Sequence, residues 1–327
     1  MSVVNTDLQL RSANRSMLHS DEDAVSIFFA TMLAKVMFAN TIQDHVARNA
    51  NLQQVADYID TWSTGNTVIV LGDTNTRYTR SADTALRTAL RSQAGLDDPW
   101  VQLHQGGVNP TAGADALLCD NPALNNECEI VDKILYRGSR ILSLAASSFT
   151  YDGNNFLNTN PEHEGTILSD HNPILTSFSW SVSPTFRQSP FSGGPHGTWF
   201  SGLPTLPASP VASTITFSGA ERLDSVGIAL SDGSNFSYGG TGGTSTSLTL
   251  ASGEHWVETE LCSAQYNSRT RIFYIQATTS TGKTLEAGTR TSSCVTYTAD
   301  DGFAVVGFIG QAGDEIDQLA LVYAPIQ

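Results

Sequence analysis

The feature that most restricts the fold is a series of short β-strand patterns in the final part of the chain. Six segments recur at fairly even intervals, separated by Gly, Asn, Asp and Ser turns: STITFSG, RLDSVGIAL, STSLTL, RIFYIQATT, AVVGFIG and DQLALVYA. Short strands with regular turns are typical of an all-β barrel or prism. The sequence therefore predicts an all-β domain here.

A change in composition separates this region from the first half of the chain. Residues 181–210 are rich in Pro, Ser and Gly, which is typical of a linker that enters a new domain. The 327 residues also exceed what one hydrophobic core usually serves, about 250 to 300 residues. We therefore predict two domains, residues 1–184 and 185–327.

The first half has a mixed pattern. Residues 44–62 carry apolar side chains near helical spacing, Val46 among them, which predicts an amphipathic helix. The β-branched run 67–71 is typical of a strand buried on both faces. Residues 130–136 and 174–180 predict two further strands. The chain as a whole is therefore predicted to be α+β.

The chain is acidic, with 32 Asp and Glu residues against 17 Lys and Arg, for a formal charge of −15. A field of this sign repels phosphate backbones, so we expect no nucleic-acid partner. The apolar run 25–39 contains Lys35 and is shorter than the ~20 residues of a membrane span. We therefore expect no transmembrane segment.

The four cysteines form two local pairs, Cys119 with Cys128 and Cys262 with Cys294. This arrangement favours disulfides in an oxidising compartment, and the alternative is four buried reduced thiols. The polar residues after Met1 lack the basic start and apolar centre of a signal peptide. We expect a secreted protein whose export signal is absent from this chain.

Three motifs next to predicted strands carry residues suited to phosphoester chemistry. A Gly-Asp-Thr-Asn motif with Asp73 and Asn75 follows the first strand, Asp132 lies in the second, and Asp170-His171 precedes the third. Their order and local form resemble the endonuclease/exonuclease/phosphatase (DNase I-like) superfamily, which includes sphingomyelin phosphodiesterases. The resemblance implies an α/β-sandwich that hydrolyses a phosphoester with Mg²⁺.

The resemblance also implies a role for each residue. Asp73 would orient or deprotonate the attacking water, and Asn75 would donate a hydrogen bond to a phosphoryl oxygen. His171 would contact the phosphate as a charged donor, with its pKa raised by Asp132, while Asp170 would lie near the metal. The residues alone leave simpler alternatives open. The Gly-Asp pair could be an ordinary turn, Asp132 a charge at the end of a strand, and His171 a hydrogen-bonded loop histidine.

The resemblance covers only the C-terminal portion of that superfamily's domain. A strand with a metal-binding Glu and a second catalytic His precede the Gly-Asp-X-Asn motif in the family. Here Met1 lies almost at that His, and a weak alignment places Asp7 at its position. We therefore expect a partial α/β-sandwich whose N-terminal half is missing and whose hydrolysis is impaired.

Residues 25–43 interrupt what would otherwise be one acidic loop entering one helix. The segment begins Val-Ser and ends Ala-Asn-Thr-Ile-Gln, whose codons can spell an intron start, a branch point and a terminal CAG. We therefore hypothesise a retained intron. The alternative is a genuine core helix, because the run is also compatible with helical structure.

Glycine-rich segments along the second domain resemble the jacalin-related lectins. They are Gly193-Gly194-Pro195-His196-Gly197, Asp224-Ser225-Val226-Gly227-Ile228, Gly239-Gly240-Thr241-Gly242-Gly243 and Gly313-Asp314-Glu315-Ile316-Asp317. The resemblance implies a jacalin-type β-prism of three Greek-key sheets. It also implies a carbohydrate or glycoconjugate as partner.

The sugar site implied by this resemblance combines Gly197 with the loop from Gly313 to Asp317. A carboxylate and neighbouring backbone N–H groups can hold two adjacent sugar hydroxyls, and a Cβ at Gly197 would block close approach of the ring. Asp314 and Glu315 add negative charge that we expect to compete for the hydrogen bonds of Asp317. The alternative is that this loop is only a structural turn.

Taken together, these patterns predict a carbohydrate-binding lectin domain fused to a metal-dependent phosphoesterase-like domain with impaired hydrolysis. The alternative is an active secreted phosphodiesterase that its lectin domain directs to glycan or glycolipid. The two readings differ in whether the first domain retains a working metal site.

Overall fold

The computed structural model describes residues 2–5, 25–27 and 42–327, with side chains from residue 45 onward. The chain divides into two compact units, Met1–Val182 and Ser183–Gln327. Asp7 and most of the segment 25–43 lie outside the described residues. The predictions for the second catalytic histidine and for a retained intron therefore stay predictions.

The described residues of the first unit form two three-stranded sheets and two α-helices. Its elements are β1 Ser2–Asn5, β2 Val25–Ile27, α1 Ile42–Trp62, β3 Thr67–Asp73, a π-helical segment Leu86–Gln93, α2 Pro99–His104, β4 Asp132–Arg137, β5 Leu142–Tyr151 and β6 Ile174–Val182. The sheet orders are β2-β3-β4 and β1-β6-β5. The predicted helix and the three predicted strands are confirmed.

A shared core joins these elements. On α1, Leu52 and Ile59 recur at helical spacing and are almost fully buried, as is Ile69 on β3. Burial of each such side chain stabilises the fold by about 1.5–3 kcal/mol. Phe178 on β6 belongs to the same core, so both sheets share it. Val46, assigned to the apolar face of the helix by its spacing, is exposed, because it lies about 120° around the helix from Leu52, whereas Arg48 on the same turn packs against Asp83.

The second unit is entirely β apart from a short 3-10 turn at Leu203–Thr205. Its strands are β7 Arg187–Gln188, β8 Ser192–Gly193, β9 Thr198–Ser201, β10 Ala212–Gly219, β11 Leu223–Leu230, β12 Asn235–Gly239, β13 Thr244–Thr249, β14 Trp256–Tyr266, β15 Arg269–Thr279, β16 Thr284–Gly288, β17 Ser293–Thr298, β18 Phe303–Ala312 and β19 Ile316–Pro325. The predicted all-β domain is confirmed.

Three antiparallel sheets surround one core in this unit. Two have the orders β12-β11-β10-β13 and β16-β15-β14-β17, in which the fourth strand returns beside the first, as in a Greek key. The third contains β7, β19, β18 and β9, with β8 beside β19. One aromatic ring from each sheet meets at the centre: Trp256 lies 5.6 Å from Phe217 and 5.7 Å from Phe308, between ring centroids.

Both predicted disulfides are present. Cys119–Cys128 closes a loop between α2 and β4, and Cys262–Cys294 joins directly paired residues of β14 and β17. The alternative of reduced thiols is therefore wrong for this structure. Among the described residues, no helix has the length and apolar character needed to cross a membrane.

Candidate functional site

Strand pairing brings two of the predicted catalytic carboxylates together in the first unit. In the antiparallel register of β3 and β4, Asp73 lies directly opposite Asp132. Like charges in this position are destabilising unless a cation lies between or beside them. The His171 ring fills that role, because its Nδ1 lies 2.6 Å from Asp132 Oδ2.

The charge of His171 follows from this contact. The hydrogen bond to Asp132 is the main cause that raises the pKa of His171 to about 9, and burial opposes it. The negative charges of Asp132, Asp73 and Asp170 raise it further. His171 is therefore protonated at neutral pH and offers N–H donors, as a phosphate contact requires.

The loop after β3 positions Asn75. Its backbone N–H donates to Asp73 Oδ1 at 2.7 Å, and its φ of 51° is left-handed, a conformation that Asn tolerates. Thr74 anchors the loop through its backbone N–H and its hydroxyl, which both donate to the carbonyl oxygen of Val131. Asn75 itself is exposed beside Asp73. The motif thus forms a fixed turn with its amide side chain at the surface.

The same cluster fits Mg²⁺ only in part. Ligand atoms of Asp73, Asp132 and His171 lie within 4.8 Å of one another. The two carboxylates are ligands that Mg²⁺ accepts, whereas a protonated His171 has no lone pair to give. Asp170 is exposed next to His171 and is not part of this cluster of described residues. Its role as a metal ligand stays a prediction.

In the second unit, Gly197 and Asp317 lie against each other. Gly197 has a φ of 72°, and a Cβ built on it would lie 2.6 Å from Asp317 Oδ2 and 2.5 Å from the carbonyl carbon of Ala312. A side chain at position 197 would therefore collide with the strand pair that carries the carboxylate. This clash with the protein's own atoms is a different reason for glycine from the predicted one, the close approach of a sugar ring, which stays a prediction.

The carboxylate of Asp317 is buried, with 3% of the residue exposed. Among the described residues, its Oδ1 accepts no hydrogen bond, although Arg271 Nε lies 3.5 Å away. Burial raises the pKa of Asp317, and the positive charges of Arg271 and His196 oppose that shift. Oδ1 thus faces the Arg271 guanidinium inside the protein, which leaves Oδ2, beside Gly197, as the oxygen that can accept a ligand hydroxyl.

Glu315 has its own partners. It accepts hydrogen bonds from Arg222 Nε at 2.7 Å and from an Arg271 guanidinium nitrogen at 3.0 Å. The bond from Arg222 is the main cause that lowers the pKa of Glu315. Arg222 also lies 3.9 Å from the Tyr266 ring centroid. The two arginines offset the charge of Glu315, and nothing in the sequence pattern singled them out because they come from distant strands and turns.

Gly313 and Asp314 form the exposed tip of the same loop. The N–H of Gly313 donates to the carbonyl oxygen of Glu315 at 3.0 Å. No described atom lies within 4 Å of a Cβ built on Gly313, so no steric reason for glycine is present at this position. The backbone of Asp314 instead packs on Gly240. A Cβ built on Gly240 would lie 2.1 Å from the backbone carbonyl oxygen of Asp314.

Comparison with known proteins identifies a jacalin-like lectin domain at residues 190–322. This segment contains Gly197 and the loop from Gly313 to Asp317, so the lectin domain predicted from the resemblance is confirmed. The wild-type Malaysian banana lectin is 21% identical and covers 43% of this chain and 99% of its own, with a TM-score of 0.38. A mannose-binding jacalin-related lectin from Ananas comosus is 18% identical, with the same coverage and TM-score.

Two further proteins with similar sequences are named as a sphingomyelinase and as a secreted effector, not as lectins. A sphingomyelinase of Mycobacterium tuberculosis is 40% identical over 132 residues, which is 40% of this chain and 24% of that protein. Secreted RxLR effector protein 19 of Plasmopara viticola is 26% identical over 163 residues, covering 47% of this chain and 89% of the effector. The matched part of this chain thus spans about a quarter of the mycobacterial enzyme.

Proposed function

We propose that this chain binds carbohydrate through its jacalin-like domain, at the site formed by Gly197 and Asp317. The observation that carries the proposal is the Asp317 carboxylate, whose Oδ2 lies against Gly197, where any side chain would collide with it. A sugar hydroxyl would donate to this carboxylate, and backbone groups of the adjoining glycine loop would contact the next hydroxyl. The two disulfides favour an oxidising, extracellular location.

The test is a glycan array probed with the full chain and its Asp317→Ala variant. Loss of a charge-assisted acceptor leaves sugar donors unpaired, at about 1.5–3 kcal/mol, or roughly ten- to a hundredfold in Kd. Asp301→Ala, at an exposed turn of the same unit, is the matched control and should bind as the parent does. Equal binding by the Asp317 variant would remove this residue from the site.

A second candidate function is hydrolysis of a phosphoester by the first unit. It is favoured by the charged His171 held beside Asp132, opposite Asp73. His171 would donate to a phosphoryl oxygen, and Asp73 would orient and deprotonate a water molecule that attacks phosphorus. The P–O bond to the leaving alcohol would break, and the alkoxide would take a proton from solvent. Bound Mg²⁺, held by Asp73 and Asp132, would neutralise charge on the phosphoryl group. Because Asp132 would have to hold both His171 and Mg²⁺, we propose that the metal binds weakly and that turnover is slow.

The test is hydrolysis of bis(p-nitrophenyl) phosphate by the full chain with Mg²⁺. His171→Ala should lower the rate by about a hundredfold or more, since a charged donor to the transferring group is lost. His163→Ala, an exposed loop histidine, is the matched control. A rate unaffected by His171→Ala, or no turnover at all, would refute this second function.

A further inference from the structure

One strand of the second unit begins with an acceptor pattern for N-glycosylation. Asn235-Phe236-Ser237 has the form Asn-X-Ser, in which X is not Pro. The chain has one other such tripeptide, Asn14-Arg15-Ser16, while Asn109-Pro110-Thr111 is excluded by its Pro. Short patterns of this kind also arise by chance, so the structure around Asn235 decides what the tripeptide can do.

The tripeptide opens β12 with its two polar side chains toward solvent. Asn235 and Ser237 are exposed, whereas Phe236 between them is partly buried. This alternation follows from the period of two along a strand. Among the described residues, the side-chain amide of Asn235 has no hydrogen-bond partner. A group attached to its nitrogen would therefore displace no contact and would extend into water.

β12 lies at the edge of its sheet. In the order β12-β11-β10-β13 it pairs with β11 on one side, and no described strand pairs with its other side. Edge strands present unpaired N–H and C=O groups to other chains, and proteins commonly protect such edges with charged side chains or Pro. β12 reads Asn-Phe-Ser-Tyr-Gly and has neither. A bulky hydrophilic group on its first residue would protect this edge.

A glycan on Asn235 would leave the site at Gly197 and Asp317 open. The other end of β12 adjoins that site, because a Cβ built on Gly240, which directly follows the strand, would lie 2.1 Å from the carbonyl oxygen of Asp314. Asn235 precedes Gly240 by five residues, or about 16 Å along an extended strand. The attached glycan therefore begins well away from the proposed sugar ligand.

We propose that Asn235 carries an N-linked glycan that covers the open edge of β12. The donor is an oligosaccharide joined to a lipid through pyrophosphate. Asn235 Nδ2 forms a bond to C1 of the first sugar and gives up one proton to a base, while the bond from C1 to the pyrophosphate oxygen breaks and the lipid pyrophosphate leaves. The modification requires passage through a secretory compartment, which the two disulfides favour.

The test is secretion of the full chain from yeast behind a secretion leader, followed by digestion with peptide N-glycosidase F in ¹⁸O-labelled water. This enzyme converts each glycosylated Asn to an Asp that carries the label, which mass spectrometry locates. Asn235 should be labelled in the parent and in Asn14→Gln, the matched control at the other tripeptide. A secreted parent without label at position 235 would overturn the proposal.

Ser237 separates glycosylation from spontaneous deamidation of Asn235. Ser237→Ala destroys the acceptor pattern and should abolish the label at position 235, whereas Ser237→Thr preserves the pattern and should keep it. Label that persists in Ser237→Ala would come from deamidation and would refute the glycan.

The protective role has its own measurement, size-exclusion chromatography of the secreted proteins over a range of concentrations. Asn235→Gln and Ser237→Ala should form dimers or larger species where the parent and Ser237→Thr remain monomeric, because the edge of β12 is then open to another chain. Equal elution of all four proteins would refute the protective role and leave the glycosylation site standing.

A glycan array separates this proposal from the proposed lectin function. Asn235→Gln should bind as the parent does, since the modified end of β12 lies away from Asp317. Loss of binding by Asn235→Gln with an unchanged Tm would contradict that placement. Asp317→Ala should lose array binding and keep the label at Asn235, so failure of the sugar site and failure of the glycosylation site give different results.

Discussion

At the scale of single residues, two glycines of the second unit allow the cost of a left-handed backbone to be compared with the cost of a steric clash. Gly197 and Gly253 have φ values of 72° and 75°, so both occupy the left-handed region. No described atom lies within 4 Å of a Cβ on Gly253. A Cβ on Gly197, in contrast, would clash with the Ala312 carbonyl carbon at 2.5 Å and with Asp317 Oδ2 at 2.6 Å. The pair therefore offers a matched comparison.

Gly253→Ala should lower the free energy of unfolding of the second unit by about 1 kcal/mol, the cost of a left-handed alanine. Gly197→Ala should cost about 1–3 kcal/mol more, because β18 and β19 must move to admit the methyl group. Urea unfolding of both variants measures the difference. An equal loss of unfolding free energy in the two variants would show that β18 and β19 move to admit the methyl group at no cost.

His171 provides a second test at this scale. Asp132→Asn removes the hydrogen-bonding carboxylate, so the pKa of His171 should fall from about 9 toward its ordinary value near 6.5. The ring protons, followed by NMR in EDTA, report the titration. An unchanged His171 pKa would mean that Asp73 and Asp170 dominate instead.

At the scale of secondary-structure elements, the buried Glu254 ties the turn before β14 to the β15–β16 hairpin. It accepts hydrogen bonds from Ala251 N–H at 2.9 Å, Lys283 Nζ at 2.7 Å and Thr279 Oγ1 at 2.7 Å. The bond from Ala251 is the first of the causes that hold its pKa well below the usual range. A depressed pKa means that the ionised form stabilises the fold.

This stabilisation is present above the unfolded-state pKa, near 4.3, and is lost as the pH falls toward the folded-state value. Glu254→Gln should therefore lower the Tm of the second unit at neutral pH. It should also flatten the decline of Tm below about pH 4.5. Glu221→Gln, at an exposed carboxylate, is the control and should do neither. If the Tm of the parent and that of Glu254→Gln fell equally with pH, ionised Glu254 would not be the group that stabilises the unit.

At the scale of the whole molecule, the chain consists of two units with separate cores, Met1–Val182 and Ser183–Gln327. Each core is closed by elements of its own unit, and each unit carries its own disulfide. Units of this kind unfold as separate cooperative blocks unless a large interface couples them. The chain should therefore unfold in two steps.

Scanning calorimetry of the full chain should show two transitions. Glu254→Gln should move only the transition of the second unit, and His171→Ala should leave that transition in place. A single transition that both variants shift would show that the units unfold together.

The sequence by itself determined the type of the elements whose patterns are local. Helical spacing located α1, a β-branched run located β3, strand patterns located six of the thirteen strands of the second unit, and the spacing of the cysteines anticipated both disulfides. These are local properties, because periodicity, turn chemistry and short loops depend on neighbouring residues.

Only the tertiary structure decided which distant residues meet. The register of β3 and β4 sets Asp73 opposite Asp132, and a one-residue slip would turn one of them to the other face. The pairing of Glu315 with Arg222 and Arg271 likewise joins residues 93 and 44 positions apart. No local pattern encodes such contacts, because they form only when packing of the sheets brings separate strands and turns to one place.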